Sequence, residues 1–260
     1  HARLYVGSQR TYAGLYGLVE NIDERFLTRV YGDDEGYLYE FERADDYRFE
    51  DLGDAFEPYA RRFEPETRDE APEAELFGPI RELVRVVNET PAARLERALA
   101  PHLDLEAFLT RLAVENYLAG WDGLVGDHGM ANFYLYRPAD STRFETIAWD
   151  QDNTFTSLDF PPWYNIHGNV LTRKIWADPR QRERYLRQLL RVADTAEGWL
   201  EEDVRQAAAQ IREAARADTL KSQTDEELEQ ALAFVARFAR ERPAGVRTFV
   251  AEVRAFPEPE

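Results

Sequence analysis

The sequence predicts an α+β protein, with a small β-rich start, a mainly helical body and one β-hairpin inserted in the middle. Three observations predict this class. Runs rich in β-branched and aromatic residues occupy much of the first 56 residues. Amphipathic segments rich in Ala, Arg and Glu fill 180–254. Between them, 121–155 loses the helical rhythm and contains two further strand-like runs.

The first elements are short and alternate between strand and helix. Residues 3–6 and 12–20 read as the two strands of a β-hairpin, joined by a polar turn. A short helix is expected after Asp23, and Gly32 is a residue type that commonly ends helices. The run GYLYEFER at 36–43 predicts another strand.

The pattern changes twice before the helical body begins. Residues 57–78 contain three prolines and many acidic residues without periodicity, which predicts an acidic, Pro-rich surface loop. Helical spacing is expected from residue 79 onward. Three helix starts carry capping signals, which are Asp104, Asp178 followed by Pro179, and Thr224 paired with Glu227.

Composition excludes several classes of function. The 260 residues carry 32 basic and 50 acidic side chains, a formal net charge of −18, and such a field repels nucleic acid. No stretch approaches the roughly 20 apolar residues that a membrane span needs. The absence of cysteine excludes disulfides, thiolate nucleophiles and cysteine-ligated zinc.

The residues whose types and spacing indicate a catalytic function lie in and beside the predicted hairpin. Asp127 and Asn132 have the Asp-x4-Asn spacing found in the catalytic loop of protein kinases, where Asp orients the acceptor hydroxyl and Asn holds magnesium. In that design a hairpin follows, and its far end carries a second metal-binding aspartate, here Asp150. Carboxylate and amide oxygens suit Mg²⁺, a hard cation. The pattern therefore indicates phosphoryl transfer.

Simpler interpretations stand beside this one. Asp127 also has the surroundings of a turn-capping residue, since glycines lie near it. Asp152 is equally consistent with a third metal ligand and with a turn residue at the hairpin exit. His128 is better explained as a loop histidine than as a zinc ligand, because the other histidines offer no matching spacing.

Several segments resemble the CotH kinase family, the spore-coat-type atypical protein kinases. YAGLYGLVENID is similar to the family's GLYxLVExVD segment and is followed by a GxLY strand. ENYLAGWDG leads into the catalytic loop, AWDQDNTF resembles the WDxDxxF box, and DPRQRERYLRQL is also similar. The resemblance implies an atypical protein-kinase-like fold. Residues 1–56 would then be the remnant of a truncated β-rich N-terminal lobe with the hinge and an adjoining strand. After the loop at 57–78, residues 79–260 would form a helical C-terminal lobe that carries the catalytic loop and hairpin at 121–155.

The resemblance also implies an activity, which is transfer of phosphate from ATP, with Mg²⁺ or Mn²⁺, to Ser or Thr of a secreted or coat protein. It implies an extracellular location or one at the surface of the cell or spore. Asp127 matches the catalytic aspartate, and Asn132 and Asp150 match the metal ligands, with Asp152 as a further candidate. The junction of Glu20, Asn21 and Ile22 falls where a kinase hinge would meet adenine.

One departure from the family concerns the lysine that binds the nucleotide phosphates. Relatives carry it upstream of the GLYxLVE segment, whereas the only lysines here are Lys174 and Lys221, and Glu40 follows the GYLY run. Because the chain opens at His1 in strand-like sequence, we expect it to be a piece of a longer polypeptide and to be inactive alone. The competing hypotheses are a non-catalytic coat or surface-assembly protein that keeps the fold as a scaffold and, more weakly, a phosphotransferase acting on a small molecule.

Overall fold

The chain begins with a β-hairpin that rests on a C-terminal helix. The computed structural model describes residues 1–42 and 45–255. Strands β1 (Ala2–Val6) and β2 (Thr11–Tyr16) pair antiparallel in a two-stranded sheet of their own, which confirms the predicted hairpin. The second strand ends at residue 16 rather than 20, because 17–20 leaves the ladder and is exposed.

A four-stranded antiparallel sheet has the order β4-β3-β5-β6. Its strands are β3 (Tyr37–Phe41), β4 (Phe63–Pro65), β5 (Phe133–Arg137) and β6 (Glu145–Ala148). β5 and β6 form the hairpin that the sequence predicts. β3 confirms most of the strand expected at 36–43, of which Arg43 lies outside the described residues. β3 is the adjoining strand of the unit predicted for residues 1–56. It pairs with β5, so it lies in the same sheet as the hairpin.

The two faces of this sheet follow the alternation of side chains along each strand. On one face, Tyr39, Phe41, Phe133 and Leu135 enter the main core. On the other face, Leu38, Tyr134 and Tyr136 form a second cluster with Ile22 and Leu27, and helix α1 (Glu24–Tyr31) covers it. This helix begins and ends as expected, since the Asp23 carboxylate accepts from two backbone N–H groups of the first turn and Gly32 adopts φ 93°.

The prediction of a loop over 57–78 is wrong in most of its length. This stretch contains the short helix α2 (Glu57–Ala60), strand β4 and the first turns of helix α3 (Glu73–Glu89). The prolines misled the interpretation. Pro72 occupies the position before the first helical residue, where its missing N–H costs nothing, and Pro79 lies in the second turn of α3.

The rest of the chain is helical apart from the hairpin and the segments beside it. The remaining helices are α4 (Ala92–Leu99), α5 (Leu105–Tyr117), α6 (Val170–Ala177), α7 (Pro179–Ala196), α8 (Trp199–Ala217) and α9 (Asp225–Ala255). Each predicted cap is confirmed: Asp104 accepts from Ala107 N–H, Asp178 from Arg180 N–H, and Thr224 exchanges hydrogen bonds with Glu227. Within the described residues, no helix combines the length and apolarity needed to cross a membrane.

Candidate functional site

The loop between α5 and β5 folds back on its own first residues. The backbone N–H of Asp127 donates to the carbonyl of Trp121 at 3.2 Å. The Asn132 side chain donates from Nδ2 to the carbonyl of Asp122 at 3.0 Å. Asp127 and Asn132 are therefore hydrogen-bonded to two adjacent residues near the start of the loop, Trp121 and Asp122.

The hairpin brings Asp150 to the same end of the sheet. Phe133, the first residue of β5, pairs with Ala148, the last of β6. Beyond this pair, the Trp149 N–H donates to the Asn132 carbonyl at 3.1 Å. Asn132 directly precedes β5, and Asp150 directly follows Trp149. The two residues therefore lie side by side where the strands end.

Left-handed backbone conformations are concentrated in this region. Asn132 has φ 59° and Asp150 has φ 42°, values that non-glycine residues adopt rarely and Asn and Asp tolerate best. Phe155 and Asn165 have φ 57° and 47°. Such conformations persist only where the surrounding contacts enforce them, and they are frequent at active sites.

Asp127 is exposed and has two close partners that the sequence did not indicate. Its carboxylate oxygen Oδ1 accepts a hydrogen bond from the Tyr164 hydroxyl. Its backbone carbonyl accepts from Arg48 Nη2 at 2.6 Å. Burial, together with the hydrogen bond and charge of Asp127, raises the pKa of Tyr164 to about 12, so this hydroxyl keeps its proton and donates at neutral pH.

The segment that carries Tyr164 also supports the backbone of the loop. Asn165 Nδ2 donates to the carbonyls of Val125 and Gly126 at 2.9 and 3.0 Å. Asn169 Nδ2 donates to the Leu124 carbonyl at 3.3 Å while its Oδ1 caps α6. Side-chain amides thus satisfy three successive carbonyls just before Asp127, which fixes the position of the aspartate.

A buried ion pair on α5 holds the loop at two points, near its middle and at its end. Arg111 donates to Glu115 Oε1 from Nε at 2.7 Å and from Nη2 at 2.5 Å, and both residues are at least nine-tenths buried. Arg111 also donates to the Asn132 carbonyl at 3.0 Å, and Glu115 Oε2 accepts from the Leu124 N–H at 3.0 Å. The pair was not predicted, although an Arg and a Glu four residues apart on an otherwise apolar helix face were a readable signal.

Arg242 connects the end of α5 to the segment before Tyr164. Its side chain is fully buried and donates to the carbonyls of Asn116, Tyr117, Leu158 and Phe160 at 2.7–2.9 Å. Burial lowers the pKa of this guanidinium to about 10, so it remains charged at neutral pH. Four carbonyl dipoles surround the cation and fix the two segments relative to each other.

The donor atoms at the hairpin end suit a hard cation. Asn132 uses Nδ2 on the Asp122 carbonyl, which leaves its amide oxygen Oδ1 as a ligand atom. Asp150 and Asp152 are exposed. In the described part of the chain, no three His, Cys, Asp or Glu side chains are grouped so as to hold a metal ion. The set therefore fits Mg²⁺ bound by one or two carboxylates and an amide together with substrate phosphates, and not a cage built from protein ligands alone.

Glu20 and Ile22, two of the three positions predicted to meet adenine, make contacts within the protein. Glu20 accepts from Arg29 Nε and Nη2, and the Ile22 side chain lies in the outer-face cluster, while Asn21 is exposed. Lys174 donates to three carbonyls at the end of α3, and Lys221 donates to the Asp218 carbonyl. Both lysines therefore bind backbone near helix ends.

A family model described as CotH kinase protein matches residues 1–246. The chain belongs to the CotH family. One curated relative, inner spore coat protein H of Bacillus subtilis (strain 168), is 24% identical over 189 residues, which cover 68% of this chain and 48% of that protein. This CotH chain thus spans about half the length of that relative.

Proposed function

We propose that this CotH chain carries the catalytic loop and metal site of a kinase that transfers the γ-phosphate of ATP to Ser or Thr of a coat or surface protein. The observation that carries the proposal is that Asp127 and Asn132 lie on one loop and that the hairpin brings Asp150, which is remote from them in sequence, to the end of the sheet beside Asn132. Family membership and the coat-protein relative support the same function. The expected β-rich N-terminal lobe and the contact of 20–22 with adenine are parts of this proposal.

Each of the three side chains has a distinct role in the proposed reaction. Asn132 Oδ1 and the Asp150 carboxylate would hold the divalent cation, with Asp152 as an additional ligand. The cation, when bound, neutralises the charge on the transferring phosphoryl group. Asp127 accepts the hydrogen bond of the acceptor hydroxyl and takes its proton as the hydroxyl oxygen attacks phosphorus. The loop contacts to Arg111, Glu115 and the side-chain amides keep these groups in place without rearrangement during the reaction.

A transfer assay tests the proposal. The full-length natural protein is incubated with radiolabelled ATP and Mg²⁺ or Mn²⁺, and label is measured in myelin basic protein, a generic basic acceptor that a chain of net charge −18 attracts. Asp127→Asn should lower the rate by about 100-fold or more. Asp203→Asn, an identical change at an exposed site on α8, should leave the rate unchanged. Equal rates for wild type and Asp127→Asn would contradict the assignment.

A non-catalytic scaffold for coat assembly is the second candidate. The observation that favours it is that Lys174 and Lys221 are both engaged at helix ends, so the phosphate-binding lysine of a kinase has no counterpart among them. A scaffold would bind no ATP in any form of the protein. Nucleotide binding therefore separates the two candidates.

A further inference from the structure

The hydrogen bond between Tyr164 and Asp127 resembles the one that a phosphoryl acceptor makes with the catalytic aspartate of a kinase. In a protein kinase, the catalytic aspartate accepts the hydrogen of the hydroxyl that is phosphorylated. Here the Tyr164 hydroxyl donates to Oδ1 of the aspartate assigned to that role. A tyrosine of the same chain thus occupies the place that the hydroxyl of a substrate would take.

The contact is built into the fold and is not a chance approach of an exposed side chain. The next residue, Asn165, is bound to the carbonyls of Val125 and Gly126. The ring of Tyr164 packs on Phe160, with centroids 4.5 Å apart, and the Phe160 carbonyl is held by the buried Arg242. The hydroxyl is therefore held at Asp127 by contacts on both sides of it in sequence.

From this placement we propose that Tyr164 is an intramolecular phosphoryl acceptor, a modification site of the CotH chain itself that is used in addition to the Ser or Thr of a protein substrate. The inference rests on the proposed kinase function. In the step, the Tyr164 hydroxyl oxygen forms a bond to the γ-phosphorus of ATP, and the bond from that phosphorus to the β,γ-bridging oxygen breaks. The hydroxyl proton passes to Asp127 and then to water, and ADP leaves.

The charges around Asp127 give the modification a consequence. A phosphate on Tyr164 carries about −1.5 to −2 charge and is repelled by the Asp127 carboxylate. Arg48, whose Nη2 lies 2.6 Å from the Asp127 carbonyl oxygen, offers a guanidinium as an alternative partner for the phosphate. Phosphorylation of Tyr164 therefore releases the base, and a second acceptor hydroxyl can then bind to it.

The test combines mass spectrometry with kinetics on the full-length natural protein and ATP with Mn²⁺. Tandem spectra of the tryptic peptide 144–173 should locate one added HPO₃ on Tyr164 in wild type and none in Asp127→Asn. The rate constant of modification should be independent of protein concentration. Transfer to myelin basic protein should begin with a lag that preincubation with ATP removes. Tyr164→Phe should show no lag, whereas Tyr5→Phe, at an exposed site on β1, should behave as wild type.

Three outcomes would overturn the inference. If wild type phosphorylates myelin basic protein while Tyr164 stays unmodified, the kinase function stands and the inference fails. If Tyr164→Phe then also slows transfer, the tyrosine is only a positioning residue. If the full-length protein modifies neither Tyr164 nor any added acceptor, the proposed function fails together with the inference.

Discussion

The buried pair of Arg111 and Glu115 gives a prediction with a calculable size. Replacing Glu115 by Leu keeps a similar volume but leaves the Arg111 cation buried without its counter-charge, and it leaves the Leu124 N–H without its acceptor. Removing one partner of a buried pair typically costs about 3–5 kcal/mol of unfolding free energy. For a chain of this length, that loss corresponds to a fall in melting temperature of roughly 6–20 °C.

Thermal and urea unfolding, followed by circular dichroism, measure this loss. The matched control is Glu89→Leu, because Glu89 pairs with Arg85 at the same helical spacing but both side chains are half exposed. This control should cost no more than about 1 kcal/mol. The double variant Arg111→Met with Glu115→Leu removes both charges and should be more stable than Glu115→Leu alone. Equal losses for Glu115→Leu and Glu89→Leu would refute the reasoning.

Three further predictions concern other residues that stabilise the fold. Gly129→Ala should lower the unfolding free energy by at least about 2 kcal/mol more than Gly53→Ala does. Both glycines have positive φ, but of the two only Gly129 would place its new Cβ against backbone atoms, at 2.7 Å. Equal urea midpoints for the two variants would contradict this. Arg242→Met should lower the unfolding free energy by at least about 3 kcal/mol, because four buried carbonyls lose their donor, and a loss under about 1 kcal/mol would be inconsistent with that role. Burial alone would raise the pKa of Asp178, but its hydrogen bonds with Arg180 hold that pKa below the ordinary value. The carboxylate therefore stabilises the fold above about pH 5, and the advantage of wild type over Asp178→Asn in urea titrations should shrink as the pH falls through the lowered pKa. A gap that stays constant down to about pH 3, roughly one unit below the ordinary aspartate pKa, would contradict this.

Local signals in the sequence were sufficient to predict where several helices begin. The caps at Asp23, Asp104 and Asp178 are decided by a side chain and backbone groups within three residues, so they can be read from sequence. The hairpin around 133–148 likewise depends on short-range alternation. Pro79 shows the limit of this method, because the packing of the helix on both sides overrides the preference of a proline to end it.

The residues that hold the candidate site in place could not be predicted, because they are distant from it in sequence and no local pattern indicates their contacts. The spacing of Asp127, Asn132 and Asp150 around a predicted hairpin, together with the resemblance to the CotH family, selected these three residues. The contact of Tyr164 with Asp127 spans 37 residues, and that of Arg48 with Asp127 spans 79. Such partners are determined by how the helices and the sheet pack, so they become visible only in the three-dimensional structure.

The most direct test of the metal-dependent site is calorimetric titration of the full-length natural protein with ATP and Mg²⁺. If Asn132 and Asp150 hold a nucleotide-bound cation, wild type and Asp203→Asn should bind ATP with equal affinity when Mg²⁺ is present. Asp150→Asn should then weaken binding at least tenfold with Mg²⁺ and much less in EDTA. Binding that Asp150→Asn leaves unchanged, or the absence of any heat with wild type, would contradict the account.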